Sequence, residues 1–203
     1  MEHSRVVEQL RFDVRGEGHD VQISPSAQLK GQIKVRDDAG PCTVRIGDGV
    51  TGKWNIDVSG GATVEIGAGT TCETTLVVAR GSDVLIGSDC MFSFSVEIRT
   101  TDTHAIYDID SGSRVNPDKP IVIGDHVWLG KQAIVLKGAS IGSGSVAGAR
   151  AIVSGTVPPL SVAAGVPARV VRSNVVWTRR IGKGRLALDE KAMSVVDSVR
   201  TSA

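Results

Sequence analysis

The stretch IVIGDHVWLGKQAIVLKGASIGSGSVAGARAIVSGTVPPLSVAAGVPARVV, residues Ile121 to Val171, decides the fold. Within it Ile123, Leu129, Val135, Ile141, Ala147 and Val153 recur every six residues, followed in turn by Gly124, Gly130, Leu136, Gly142, Gly148 and Ser154. Four residues after each aliphatic stands a short side chain: Val127, Ala133, Ala139, Ser145, Ala151 and Val157. A period of six suits neither a 3.6-residue helix nor a hairpin ladder, whereas it fits short strands joined by tight corners in a stacked solenoid. Each hexad is then one face. The aliphatic residue points inward, the second inward position must stay small, and the glycine serves a corner where φ is positive or backbones crowd. Three hexads close a triangular coil, and successive coils stack about 4.8 Å apart as parallel strands.

Working outward, TVRIGDG (Thr43 to Gly49), TVEIGAG (Thr63 to Gly69) and DVLIGSD (Asp83 to Asp89) repeat at offsets of 20 residues, which predicts coils with two extra corner residues. Val50, Thr70 and Cys90 take the small inward position there, so Cys90 is expected in the core. The repeat defines an all-β domain over residues 41–172, preceded by an irregular segment and opening coil (1–40) and followed by a C-terminal tail (173–203). In the tail, Leu186, Met193, Val196 and Val199 have helical spacing, and a short helix after Gly182 is expected to cap the last coil. Between the two blocks the register breaks at TTDTHAIYDIDSGSRVNPDKP, Thr100 to Pro120. That stretch is too polar and turn-rich to be a coil and reads as a loop excursion, the kind of segment that carries function.

The 203 residues suit one domain with appendages. Seven aromatics against 24 glycines exclude a bulky helical-bundle interior. Lys and Arg number 23 against 22 Asp and Glu, so no net field steers the chain toward nucleic acid or an acidic membrane, and there are too few aromatics for a base-stacking platform. Cys42, Cys72 and Cys90 lack CxxC spacing, which speaks against a disulfide framework or zinc knuckle and for reduced thiols. The longest uncharged run, Ala151 to Ala168, is broken by Gly155, Pro158, Pro159, Gly165 and Pro167 and cannot make a bilayer helix. With no signal-peptide pattern at the start, a soluble cytoplasmic protein is expected.

Over Ile46 to Arg172 the sequence resembles the hexapeptide-repeat acetyltransferases, in particular the maltose, galactoside and xenobiotic group and the sugar O-acetyltransferases of surface-polysaccharide pathways. The resemblance implies a left-handed parallel β-helix, a hand that general crossover rules would not predict. It implies acetyl-CoA as co-substrate, a homotrimer, no metal, and O-acetylation of a sugar hydroxyl in polysaccharide or glycoconjugate biosynthesis. N-acetylation of an amino sugar or antibiotic-like amine is the nearest alternative, and a non-catalytic β-helix scaffold is the alternative from another class. A zinc site like that of the related γ-carbonic anhydrases needs three imidazoles. The chain has four His, of which His3 and His19 lie outside the matched region, and it has no H-x4-H pair.

The resemblance places a general base just before such a loop, and His104 in DTHAIYD matches. An acceptor attacking a thioester must lose its proton, and imidazole accepts one near neutral pH. Asp102, Asp108 and Glu97 are the candidates to orient its ring. The developing oxyanion needs a fixed donor, for which the Lys131 backbone amide after Trp128-Leu129-Gly130 is the candidate. Trp128 either lines the site or is an outer anchor or trimer contact. Asp102, Tyr107, Arg114 and Asn116 are the loop residues able to meet an acceptor. For coenzyme A, the matched positions are Ala147, Gly148, Ala149, Ser154 and Gly165 beside the pantetheine arm and Arg169 at the nucleotide end. The family's GAGSxVTK reads GARAIVSG here, so phosphate contacts are expected to move to Arg150 or Arg172. His126 is expected on the outer face of a corner. The acid-free run containing Arg179, Arg180 and Lys183 is expected to be a solvated tail.

Overall fold

The computed structural model describes residues 9–36, 38–179 and 189–202. Their backbone winds into a parallel β-solenoid with three faces. The first face stacks Leu10–Arg15, Gln28–Arg36, Thr51–Ser59, Thr71–Arg80, Met91–Phe92, Trp128–Leu129, Val146–Ala147 and Ser161–Ala164. Its last neighbour, Arg169–Ser173, is antiparallel. The second face continues from the far half of Thr71–Arg80 through Val96–Arg99, Ile134–Leu136 and Ile152–Val153. The third is a seven-stranded sheet from Asp20–Ile23 through Thr43–Ile46, Thr63–Ile66, Val84–Ile86, Ile121–Ile123 and Ser140–Ile141 to Thr156–Val157.

The six-residue column lies where the spacing put it. Ile123, Leu129, Val135, Ile141, Ala147 and Val153 are all buried, as are the short residues four positions on, and Cys90 is fully buried with them. Each fully buried aliphatic contributes on the order of 1.5–3 kcal/mol relative to exposure. Two large rings enter this otherwise slender core, Trp54 and Phe92, which meet edge to face at 5.9 Å between centroids.

Crowding, and not a positive φ, explains the glycine after Ile123, Leu129 and Ile141, whereas a Cβ on Gly148 would meet nothing closer than 3.4 Å. A Cβ built on Gly124, Gly130 or Gly142 would lie 2.5, 2.5 and 2.4 Å from the nearest atom of the coil above: Ser143, the Ala149 nitrogen and the Pro159 nitrogen respectively. The left-handed conformation falls two residues later in the corner, on His126 (φ 53°), Gln132 (φ 60°), Gly144 (φ 74°) and Arg150 (φ 59°).

The longer early coils are not built by inserting two residues at one corner. Thr51 and Trp128 share a register position, as do Asp57 and Leu136, yet the first pair is six residues from the second in the early coil and eight in the later one. The compensation comes at the next corner, where Asp57 to Glu65 is eight residues and Leu136 to Ser140 four. The Thr100 to Pro120 excursion leaves from this same corner, between Val96–Arg99 and Ile121–Ile123.

The opening segment departs from expectation. Residues 10–36, expected to be largely irregular, form three regular strands in register with the coil above, Phe12 opposite Ile33 and Val14 opposite Val35. Side chains do the work of the missing corner motif: the Cys42 N–H donates to His19 Nδ1 at 3.0 Å, the Gly49 N–H to Ser26 Oγ at 3.0 Å, and Ser24 Oγ to Asp48. At the other end, helix α1 (Glu190–Thr201) starts on Asp189, whose carboxylate accepts the Ala192 N–H at 2.9 Å. Leu186 and Gly182 lie outside the described residues. The helix runs along the corner between third and first faces, with Lys191 beside Asp89 and Val195 against Gly144, instead of closing the last coil as expected. That strand is covered by the antiparallel Arg169–Ser173.

Gly130→Ala should therefore lower stability by about 1–3 kcal/mol through overpacking, whereas Gly155→Ala, whose Cβ would meet nothing within 4 Å, should leave thermal unfolding nearly unchanged. Equal melting temperatures for the two variants would contradict the crowding account.

Candidate functional site

The excursion is a small hairpin hung on a polar hub. Tyr107 and Arg114 form an antiparallel bridge, and the Val115 N–H donates to the Ile106 carbonyl at 2.8 Å. His104, Tyr107 and Arg114 are exposed, but Asn116 is buried. Its Nδ2 donates to Asp102 Oδ2 and to the His104 carbonyl, both at 2.8 Å, while its Oδ1 accepts the Ile106 N–H at 2.7 Å. Asn116 and Asp102, expected to meet an acceptor, are thus committed to the loop itself. Asp102 also pairs with Lys137, a residue absent from the sequence expectations. The Lys137 hydrogen bond, then that of Asn116, holds the Asp102 carboxyl below its ordinary pKa. The other two candidates for orienting His104 are engaged as well: Asp108 accepts Ser111 at 2.8 Å, and Glu97 pairs with Arg99 at 2.5 Å. Arg114 donates to Asp118 at 3.2 Å and Asn116 at 3.3 Å.

A second group gathers at the corner between first and second faces. Trp128 sits on the outer surface of its strand, 37% exposed. Two residues past Leu129, Lys131 is exposed, and its carbonyl accepts the Arg150 N–H at 2.8 Å. At the corner between third and first faces, two of the equivalent amides are capped by the coil above, Ser88 N–H on Asp125 Oδ1 at 2.7 Å and Asp125 N–H on Ser143 Oγ at 3.0 Å, while those of Asp48, Ala68 and Ser143 find no acceptor among the described residues. Above Lys131 stands Ala149, which has no side-chain acceptor, and among the described residues nothing accepts the Lys131 N–H. The Lys131 N–H is thus a corner donor on an exposed residue, without a partner among the described residues.

The positions matched to coenzyme A divide by burial. Ala147 is wholly inside the prism with its carbonyl bonded to Gly130, so its side chain cannot border a ligand. Ala149, Ser154 and Gly165 are exposed and Gly148 is half-buried, while Gly155, where the family pattern has Lys, faces open space. Arg150 donates to Gln132 at 3.0 Å across stacked corners. Arg169 and Arg172 lie exposed on the final strand. His104 and its hub thus stand at one edge of the second face and Lys131 and Arg150 at the other, with Trp128 on the adjoining first face beside Trp177.

His126 overturns its expected place on the outer face. It is fully buried, its Nδ1 is 2.7 Å from Asp89 Oδ2, its Nε2 is 2.9 Å from the Trp177 carbonyl, and its ring stacks on Trp177 at 4.1 Å. The Trp177 indole N–H returns to the His126 carbonyl at 2.7 Å, and Trp177 in turn flanks Trp128 at 6.0 Å. Arg179, expected to be solvated, donates instead to Asp89, Thr71 and the Asp89 and Cys90 carbonyls. Arg180 and Lys183 lie outside the described residues. Burial works to raise the Asp89 pKa, but hydrogen bonds from Lys191 and His126 and the charge of Arg179 outweigh it and hold the carboxyl below its ordinary value. The signal for this anchor is Trp177 itself, the one aromatic residue of the tail. Among the described residues, no group of three or more His, Cys, Asp or Glu is arranged to hold a metal ion, and no helix is long and apolar enough to cross a membrane.

The chain is similar to the polysialic acid O-acetyltransferase of Escherichia coli O1:K1 / APEC, 40% identical over 52% of this chain and 34% of that protein. It is 34% identical to the polysialic acid O-acetyltransferase of Neisseria meningitidis over 46% of this chain and 44% of that protein. The matched stretches therefore span less than half the length of these curated relatives. The solved structure of the polySia-specific acetyltransferase NeuO superposes with a TM-score of 0.68 at 30% identity, covering 94% of each chain. No protein-family model matches the sequence. A fold and sequence match of that extent defines the class: the chain belongs to the hexapeptide-repeat acetyltransferases.

The Asp89 anchor carries its own pH dependence. A carboxyl with a depressed folded-state pKa contributes stability that is present above its unfolded value of 3.8 and is lost as pH falls through the lower folded value. Asp89→Asn should cost about 1–3 kcal/mol at neutral pH by stripping a charged acceptor from His126, Arg179 and Lys191. It should also flatten the acid limb of a stability-against-pH curve. A variant as stable as the parent at pH 7 would show that the tail is held by other contacts.

Proposed function

We propose that the protein transfers an acetyl group from acetyl-CoA to a sugar hydroxyl of a surface polysaccharide. The names of its relatives favour an acidic, sialic-acid-type polymer as acceptor. The observation that carries the reading is the Lys131 amide, which sits on an exposed residue at a corner of the solenoid and finds no acceptor among the described residues. In the proposed step the acceptor oxygen attacks the thioester carbonyl as His104 takes its proton. The Lys131 N–H donates to the oxyanion of the tetrahedral intermediate. Collapse expels the CoA thiolate, which recovers the proton from the imidazolium. Transfer is direct: Cys42, Cys72 and Cys90 are buried, and burial pushes the thiols of Cys72 and Cys90 up to about 12, so none of them is a ready nucleophile.

Acetyl-CoA needs a slot for pantetheine and cations for its phosphates. Ala149, Ser154 and Gly155 leave the corners unobstructed, and Arg150, Arg169 and Arg172 are the exposed cations near the upper coils. The base and the amide occupy opposite edges of one face, which supports a site completed between neighbouring copies in a homotrimer, the base of one copy facing the amide of the next.

Calorimetric titration with acetyl-CoA tests the donor half, and acetylation of a sialic-acid oligomer tests the acceptor half. His104→Ala should lower kcat by roughly 10²–10⁴-fold while leaving acetyl-CoA affinity intact. Arg169→Ala should weaken acetyl-CoA binding by about tenfold, the loss of one charge-assisted hydrogen bond. A folded protein that binds no acetyl-CoA, or a His104→Ala variant with parental turnover, would sink the reading.

A further inference from the structure

We infer that Lys137 is a positioning residue for acetyl transfer: by bridging the entry and the exit of the Thr100 to Pro120 excursion from the coil above, its ammonium sets where His104 stands. The inference rests on the proposed role of His104 as the base.

Leu136 pairs with Arg99, so Lys137 stands directly above Thr100, the root of the loop. Its Nζ donates to Asp102 Oδ2 and, at 3.1 Å, to the Asn116 carbonyl. These acceptors lie two residues before His104 and twelve after it. Asn116 closes the circuit through its bonds to Asp102 Oδ2, the His104 carbonyl and the Ile106 N–H. The His104 main chain is thereby tied on both sides to a unit in which Lys137 is the cation hydrogen-bonded to Asp102.

From Asp102 to Val115 every residue is exposed, so no side chain of this segment is anchored in the core, whereas the Lys137 side chain is only 18% exposed. The root itself is pinned separately, with the Thr100 hydroxyl accepting the Arg80 N–H at 2.9 Å and the Thr100 carbonyl accepting the Lys119 N–H at 3.1 Å. Removing the Lys137 ammonium therefore frees the segment that holds His104 without unpicking the coil, whose strand Ile134–Leu136 is held by backbone pairing. A general base must stand within hydrogen-bond reach of the proton it removes, and a displacement of about 1 Å can cost on the order of 10² in rate.

Lys137→Met should lower kcat roughly 10- to 100-fold, with the KM for acetyl-CoA and the melting temperature near parental values. Lys137→Arg, which keeps a cation able to reach both oxygens, should recover most of that loss. Asp102→Asn should behave like Lys137→Met, and the double variant should lose little more than either alone, since the pair acts as a unit. Parental kcat in Lys137→Met beside a His104→Ala variant that is inactive would overturn the inference while leaving the acetyl-transfer reading intact. A kcat loss matched by a collapse in melting temperature or in acetyl-CoA affinity would overturn it too. Amide hydrogen exchange decides the clamp without any turnover assay. The Ile106 N–H should exchange at least about tenfold faster in Lys137→Met, and unchanged exchange would mean that the ammonium does not hold the loop, whatever the activity of the parent protein.

Discussion

Close approach of one coil to the next is the constraint on which this molecule depends. At Gly124, Gly130 and Gly142 the backbone of the following coil occupies the space that a Cβ would need. Parallel strands about 4.8 Å apart leave no slack at a corner, so one position in each hexad is closed to side chains and a second, inside the prism, is limited to short ones. A core assembled this way is long, narrow and mostly aliphatic. Chemistry is consequently confined to corners, to outer faces and to interruptions of the stack.

The same stacking decides which backbone groups are available. Where the coil above places a side-chain oxygen within reach, as Asp125 and Ser143 do, a corner amide is satisfied. Where the upper residue is Ala149, the Lys131 N–H has no acceptor among the described residues. An amide left unpaired at the surface costs little because water can reach it, while an acceptor arriving from a substrate finds a donor already oriented. A single change of side chain one coil away thus converts a structural group into a candidate functional one.

Much of the fold was legible because the crowding rule writes itself into the sequence as a hexad, and the aliphatic column from Ile123 to Val153 needed no further information. The opening coils were not legible for the complementary reason: their corners are held by His19, Ser24, Ser26 and Asp48 through side-chain bonds that follow no period. His126 was misplaced because a residue in a left-handed corner normally projects outward. Here a strand-distant ring, Trp177, comes down over it and turns the corner into an interior. In the loop the acidic and amide residues were visible, but their partner Lys137 sits 35 residues from Asp102 in sequence, one coil up. Contacts between coils join residues by register, and the repeat fixes no register for residues inside the excursion, so the partner of Asp102 does not follow from its position in the chain.

On the proposed mechanism the separation of base and amide has a physical consequence. His104 is tied through Asn116 and Asp102 to Lys137, at the end of the strand Ile134–Leu136, and Lys131 lies before its beginning. Three strand residues alone span about 10 Å, and the core fills the space behind them, so the two groups of one chain face different edges of the same wall. A tetrahedral intermediate needs its proton acceptor and its oxyanion donor both within hydrogen-bond reach. The loop cannot fold back across the wall without breaking the hub that positions the base. The edges can be brought together by packing the loop edge of one copy against the amide edge of another, and closed rotational symmetry makes that juxtaposition recur at every interface. In such an assembly the rigidity of the solenoid serves catalysis indirectly: each wall carries half of two different sites, and the distance between those halves is fixed by the strand.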